Sequence, residues 1–181
     1  MPLNIYIISH PIIKLLTNSF INNTIQYEYT YKYIGFILIY EILRKYIKIK
    51  QIHIKCIYYT QIINILDKSE TYYIFTDLVN TYHMITDIKI LLPNIKIINF
   101  EEKINLSLKE KIKNINRNNN ILILEMNLNK YSTIELITQL QKEADISLNK
   151  ITIGCIKCNN DILEKLGIQY PKLNIYTTQI I

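Results

Sequence analysis

The chain has 181 residues, of which 49% are apolar and 20% charged, and this size and composition predict one ordinary globular domain over residues 1–181. Its apolar runs are far shorter than the ~20 residues of a membrane-spanning helix, and the amino end lacks the pattern of a secretory signal, so we expect no membrane association. The formal net charge of +6 comes from lysines scattered along the chain, so we expect a solvated basic surface and no nucleic-acid partner.

The first half of the chain contains segments with both helical and strand periodicity. Ile34, Leu38 and Ile42 recur on one face of a long predicted helix. A Lys- and Asn-rich connection at residues 100–120 is predicted to be helical in part. The other predictions, in chain order, are a helix at 31–46, a strand at 49–57, a buried strand at 72–76, a helix at 78–91 and a strand at 95–99.

The second half alternates strands with helices. Ser132-Thr133-Ile134-Glu135 has the spacing of a capping box, which predicts that a helix starts there. Strands separated by helices must cross over, so the pattern predicts an α/β fold with a parallel sheet flanked by helices. The predicted elements are a strand at 121–124, the helix from 132, a strand at 151–156, a helix at 161–167 and a strand at 173–177.

A ligand site is predicted at the carboxyl end of the strand 121–124. Glu125 follows this strand, and a polar loop that contains Lys130 leads to Ser132 and Thr133. Ligands of open α/β sheets bind at the carboxyl ends of the strands, and the amino end of a helix suits a phosphate. However, the loop contains no glycine, which a phosphate cradle usually needs.

Each of these polar residues also has a purely structural explanation. Ser132 and Thr133 can serve as helix caps, which we favour over ligand contact. Glu125 can be a solvent-facing acid at a strand end, and Lys130 can simply be hydrated. For Glu125 both explanations remain open.

Cys155 and Cys158 have CxxC spacing, and Cys56 is the third cysteine. Zinc would need two further ligands, and a redox pair would open a helix, whereas this pair lies at the end of a predicted strand. We therefore predict no metal ligands here and interpret both cysteines as small apolar side chains.

Four stretches of the chain together carry a family resemblance. His10-Pro11 lies in the first and Tyr40-Glu41 in the second. The stretches are 8–14, 34–44, 92–94 and, most specifically, 124–133 together with 170–177. In order and spacing they resemble uracil phosphoribosyltransferase, in a shortened and degenerate form.

This resemblance implies a phosphoribosyltransferase-like fold and the transfer of a phosphoribosyl group from phosphoribosyl diphosphate to uracil, a reaction of pyrimidine salvage. It also implies Mg²⁺ as cofactor if the protein is active, and a homo-oligomer, most simply a dimer. The remnant of the phosphoribosyl diphosphate loop would comprise Glu125, Lys130, Ser132 and Thr133. No residue is assigned a catalytic role.

The chain departs from the family pattern in three places. The family's diphosphate loop, an Arg-Ala-Gly run, corresponds to residues 76–81, which contain neither arginine nor glycine. The glycine pair of the phosphoribosyl loop falls on Tyr131-Ser132, and we expect the Tyr131 ring to block the phosphate cradle. The uracil-binding segment would follow the last strand, where this sequence ends at Ile181. We therefore predict a homologue with lost or reduced activity.

Two other functions stay open. One is a non-catalytic interaction or scaffold protein on the same fold. The other is a basic RNA-associated organellar protein, which would need Lys45, Lys48 and Lys50 to converge on one face. The abundance of Ile, Asn, Lys and Tyr is typical of A/T-rich coding DNA. It predicts a plastid-encoded protein of the chloroplast stroma, with the cytoplasm of an A/T-rich bacterium as the alternative.

Overall fold

A computed structural model of the chain describes residues 3–19, 27–67, 71–92, 94–100 and 106–181. The strands are β1 (Asn4–Ile7), β2 (Ile49–Lys55), β3 (Thr60–Leu66), β4 (Tyr72–Thr76), β5 (Lys96–Asn99), β6 (Asn120–Leu128), β7 (Ile151–Cys158) and β8 (Asn174–Ile180). The helices are α1 (Pro11–Ser19), α2 (Tyr27–Arg44), α3 (Leu78–Ile85), α4 (Ile88–Leu91), α5 (Leu106–Lys113), α6 (Ser132–Ala144) and α7 (Asn160–Gln169).

Six of the described strands form one sheet in the order β1-β8-β7-β6-β4-β5. All neighbouring pairs in this sheet are parallel. Parallel neighbours require crossover connections, and helices supply them here. The α/β fold predicted from the sequence is therefore confirmed.

Apolar side chains cover both faces of this sheet. One core, which includes Phe75 and Ile153, lies beneath α5, α6 and α7. The other, which includes Ile74 and Leu124, lies beneath α2, α3 and α4. Because both faces are covered, a central strand such as β4 is buried at every position and reads as a continuous apolar run.

Glycines allow α2 to lie unusually close to its neighbours. A Cβ placed on Gly35 would lie 2.5 Å from the Met84 Cβ in α3. A Cβ on Gly154 in β7 would lie 2.6 Å from the Ile42 Cδ1 of α2. At Gly35 the obstacle includes backbone as well as side chain, so this helix contact depends on the absence of a side chain.

β2 and β3 form an antiparallel hairpin outside the parallel sheet. Cross-strand pairing places Ile52 opposite Ile63 and makes one face of the hairpin apolar. The members of this apolar face, each 36–43% exposed, are Ile52, Ile54, Ile63 and Ile65. The turn carries Ile57, Tyr58 and Tyr59, which are 92%, 94% and 64% exposed. The sequence predicted a strand at 49–57 but not its partner.

Some predicted boundaries were wrong. The helix expected at 78–91 is broken between Ile85 and Ile88, where the Thr86 hydroxyl donates to the carbonyl of His83. The strand expected to stop at residue 124 continues to Leu128, because β7 pairs with it along that length. The helix predicted to close at Gly167 continues to Gln169. Within the expected connection 100–120, the partial helix is confirmed as α5.

None of the helices in the described ranges is both long and apolar enough to cross a membrane.

Candidate functional site

A pocket of about 160 Å³ lies at the carboxyl ends of the neighbouring strands β4 and β6, beside the amino ends of α3 and α6. Three of the predicted site residues, Glu125, Lys130 and Ser132, line it, and the fourth, Thr133, is bonded to Glu125. The full lining is Asp77, Asn80, Thr81, Phe100, Glu125, Met126, Asn127, Asn129, Lys130 and Ser132.

Glu125 and Thr133 form a buried hydrogen-bonded pair. Glu125 is only 6% exposed, and Thr133 is fully buried. The Thr133 hydroxyl donates to Oε1 of Glu125. Glu125 is thus not a solvent-facing acid at a strand end, which corrects one of the two explanations drawn from the sequence.

Burial raises the pKa of Glu125 from 4.5 to about 7, and the nearby charge of Asp77 acts in the same direction. The Thr133 hydrogen bond and the positive charge of Lys130 oppose this increase in pKa. A carboxyl group with a pKa near neutrality can accept or release a proton at physiological pH. The same group can accept hydrogen bonds from the hydroxyls of a sugar.

The amino end of α6 differs from the predicted capping box. Tyr131 occupies the N-cap position and makes no side-chain cap hydrogen bond. Ser132 lies inside the first turn, and the Thr133 hydroxyl is directed to Glu125 instead of to the helix backbone. Hence the Tyr131 side chain does not cap the backbone N–H groups of the first turn. Uncapped N–H groups at the amino end of a helix can donate hydrogen bonds to an anion.

The Tyr131 ring does not line the pocket, which corrects the expectation that it blocks the phosphate cradle. The ring is 55% exposed, and the Nζ of Lys165 in α7 lies 4.2 Å from its centroid. This cation–π contact holds the ring outside the pocket. The ring therefore does not fill the space that the pocket lining encloses beside the amino end of α6.

The opposite wall of the pocket contains an acid. Asp77 caps α3, accepting from the Val79 N–H at 3.1 Å and from the Asn80 side-chain amide at 2.6 Å. The Thr76 hydroxyl donates to the Leu124 carbonyl at 2.7 Å and so ties the end of β4 to β6. The family resemblance placed both residues in the segment 76–81 that corresponds to the diphosphate loop, but neither was predicted to be a site residue, although an aspartate between a strand and a helix is a recognisable cap signal.

Cys155 and Cys158 lie in the apolar core, and Cys155 pairs in register with Glu125. The hydrogen bond with Cys158 and burial both raise the pKa of the Cys155 thiol. Within the described residues no group of three or more His, Cys, Asp or Glu side chains is placed to hold a metal ion.

Known proteins resemble the chain over nearly its full length. A protein of the red alga Porphyra purpurea named "Uracil phosphoribosyltransferase homolog" is 27% identical over 186 residues, which cover 99% of this chain and 89% of the relative. A protein of the same name from Pyropia yezoensis has the same identity and coverage. The resemblance to uracil phosphoribosyltransferase homologues is confirmed. No protein-family model matches the chain.

The fold also resembles a solved structure. The AQ2163 protein from Aquifex aeolicus superposes with a TM-score of 0.71 over 97% of this chain and 86% of that chain. The two sequences are 16% identical. At this identity the likeness establishes a shared fold, so function has to be argued from the pocket.

Proposed function

We propose that this uracil phosphoribosyltransferase homologue binds a phosphorylated ribose in the pocket between β4 and β6, with lost or reduced transfer to uracil. The observation that carries the proposal is the buried Glu125–Thr133 pair beside the amino end of α6. It combines an acceptor for sugar hydroxyls with backbone donors for a phosphate. The names of the red-algal relatives support the same substrate class.

The α6 side of the pocket fits a ribose phosphate. The open helix end offers N–H donors and the positive end of the helix dipole to the phosphate. Lys130 adds a positive charge to the lining. Glu125 faces the same space and would hold the ribose hydroxyls. The Tyr131 ring, which contacts Lys165 and lies outside the pocket lining, leaves room for this arrangement.

The α3 side does not fit a diphosphate. Transfer requires groups that stabilise the negative charge of the departing diphosphate. Residues 76–81 contain no arginine or glycine, and Asp77 adds a negative charge at that wall. Repulsion between this carboxylate and a diphosphate would weaken binding of the leaving group. Bound Mg²⁺ would neutralise part of that charge, but the ion would have to arrive with the substrate.

Calorimetric titration with ribose 5-phosphate and with phosphoribosyl diphosphate plus Mg²⁺ tests the proposal, together with an assay for UMP formation. We expect ribose 5-phosphate to bind, and Glu125→Gln and Lys130→Gln each to weaken it about tenfold, as loss of one charged hydrogen bond would. UMP formation should be absent or far slower than in an active transferase.

The matched control is Glu143→Gln, a partly buried acid of α6 that lies outside the pocket lining. It should leave both titrations unchanged. Absence of heat with either ligand at millimolar concentration would reject the pocket as a ribose phosphate site. Efficient UMP formation would reject the loss of activity.

The exposed hairpin favours a role in association, and we further propose a homodimer. Its apolar face and turn together expose on the order of 800 Å², about what each partner contributes to a stable interface. An isolated two-stranded hairpin has little stability of its own, so a covering surface would stabilise it. A second copy of the chain is present at the same concentration and carries the same hairpin, so two copies can pair about a two-fold axis.

We also propose that the protein acts in a plastid, in pyrimidine salvage or alongside it. The red-algal source of both relatives and the A/T-rich composition support this location.

A further inference from the structure

A second cavity, separate from the pocket, lies where the segment after β1 passes the carboxyl end of α2. Its volume of about 630 Å³ is within the usual range for small-molecule sites. We call it the amino-terminal groove, and its chemically active lining residues are Tyr6, His10, Glu41, Arg44, Lys45 and Tyr176. Among the described residues, none lines both this groove and the pocket. The groove brings together residues of the sequence stretches 8–14 and 34–44, neither of which lines the pocket.

Two stacked tyrosines form one side of the groove. The rings of Tyr6 and Tyr176 are 4.6 Å apart between centroids and 20° from parallel. The two residues are paired in register on the parallel strands β1 and β8, so the backbone fixes their positions. Tyr6 has one face on Tyr176 and remains 43% exposed. A rigid, accessible aromatic ring is the usual platform for a nucleic-acid base.

Hydrogen-bond donors and positive charges form the other side. The Arg44 side chain is 68% exposed and lies 3.5 Å from Glu41, a contact that uses only part of its five donors. Lys45 is exposed beside it. The Nδ1 of His10 accepts from the Ile12 N–H, so in the neutral ring the hydrogen is on Nε2. Arg, Lys and His donors around one cavity suit a phosphate.

We propose that the amino-terminal groove binds a nucleotide, with the base against Tyr6 and the phosphate at Arg44, Lys45 and His10. The aromatic platform selects a planar ring and the cations select an anion, and a nucleotide combines both. A free nucleotide and a single-stranded RNA segment present this same chemistry. Glu41 limits the net charge of the groove, which favours a free nucleotide over a long polyanion.

Calorimetric titration of the full chain with AMP tests the site, with octa-adenylate RNA and ribose 5-phosphate as further probes. AMP is used because its base, adenine, differs from uracil, the base of the transfer reaction considered for the pocket. Tyr6→Leu keeps an apolar side chain on β1 but removes the stacking ring, and Arg44→Gln removes the charge at similar length. We expect each to weaken AMP binding about tenfold or more. Arg117→Gln, which changes an exposed arginine elsewhere, is the matched control and should have no effect.

The outcomes separate this proposal from that for the pocket. Unchanged AMP binding in Glu125→Gln supports the groove, whereas its loss in that variant would place AMP in the pocket and overturn the proposal. Absence of AMP binding at millimolar concentration, or equal binding by Tyr6→Leu, would also overturn it. Octa-adenylate binding that needs Tyr6 and exceeds that of AMP would identify RNA as the source of the nucleotide. RNA binding that is insensitive to Tyr6 and falls steeply with salt would show only a basic surface.

Discussion

Glu125 is a carboxyl group that burial holds near half-protonation at neutral pH. It is placed there by β6, whose pairing with β7 continues beyond the apolar run and carries the side chain into the interior. The Thr133 hydroxyl supplies a hydrogen-bond donor that stabilises the charged form in part. Burial of the charged Glu125 carboxylate therefore lowers the stability of the fold, as is common for ionisable residues in binding sites.

This cost predicts a pH dependence of stability. The pKa of Glu125 is about 7 in the folded chain against an ordinary value of 4.5. Between these values the folded state binds more protons than the unfolded state, so stability falls as pH rises from 4.5 to 7 and stays lower above. A shift of this size corresponds to a loss of about 3 kcal/mol in the free energy of unfolding. Glu125→Gln keeps an oxygen acceptor for Thr133 and should lack this loss.

Urea unfolding midpoints of the two proteins at pH 5 and pH 8 check this prediction. Glu125→Gln should be more stable than the parent chain at pH 8 but not at pH 5. Glu135→Gln, a change of an exposed acid in the first turn of α6, serves as control. Parallel pH profiles for parent and Glu125→Gln would contradict the prediction.

At the scale of elements, the sequence correctly predicts those helices and strands whose formation depends on a local pattern of apolar residues. The buried strand β4 and the long helix α2 were predicted correctly in kind because their apolar runs and periodicity are continuous. The strand β3 was missed because Thr60–Leu66 lacks a regular alternation, and its pairing with β2 is not visible locally. The capping box was misplaced by one residue, because the serine belongs to the first turn of α6.

Only part of the candidate site was predicted, again because sequence patterns are local. Glu125, Lys130, Ser132 and Thr133 are close in sequence, so the strand-loop-helix pattern brings them together. Asp77 reaches the pocket only because β4 lies beside β6 in the sheet. That adjacency is a property of strand order, which no local pattern encodes. Only the family resemblance of residues 76–81 indicated this side of the site.

The contact between α2 and α3 predicts that Gly35→Ala destabilises the protein. The added methyl group would lie 2.5 Å from the Met84 Cβ and push the helices apart. We expect a loss of about 1–3 kcal/mol in the free energy of unfolding, although alanine is the better helix former. Gly167→Ala in α7 is the matched control, since its methyl group would lie 3.6 Å from Leu3. It should be stabilising by about 0.5–1 kcal/mol, and equal effects of the two changes would contradict the packing argument.

At the scale of the whole molecule, the hairpin of β2 and β3 is the part that exposes large apolar side chains which no other described part of the chain covers. Its apolar face and its turn remain exposed, while the parallel sheet is covered on both faces. Large exposed apolar patches usually mark interaction sites.

The proposed dimer predicts a sedimentation mass of about twice 21.5 kDa. The double variant Ile57→Ser, Tyr58→Ser changes residues that are more than 90% exposed, so it should leave folding intact. We expect it to weaken the dimer about tenfold or more, since two large apolar side chains leave the interface. Ile168→Ser, at an 82% exposed position of α7, should not affect assembly. A parent chain that sediments as a monomer at every concentration would contradict the dimer.

The pairing of β1 with β8 has a consequence for synthesis. The Asn4 side chain bonds to that of Asn174, 170 positions later, and β1 takes its place in the sheet beside β8. On the ribosome, β1 is translated long before this neighbour exists, and its backbone groups must be satisfied by water or by other binding partners until then. Completion of this sheet edge therefore waits until β8 has been synthesised, and such late, long-range closure is slow and exposes unpaired strands to misassembly.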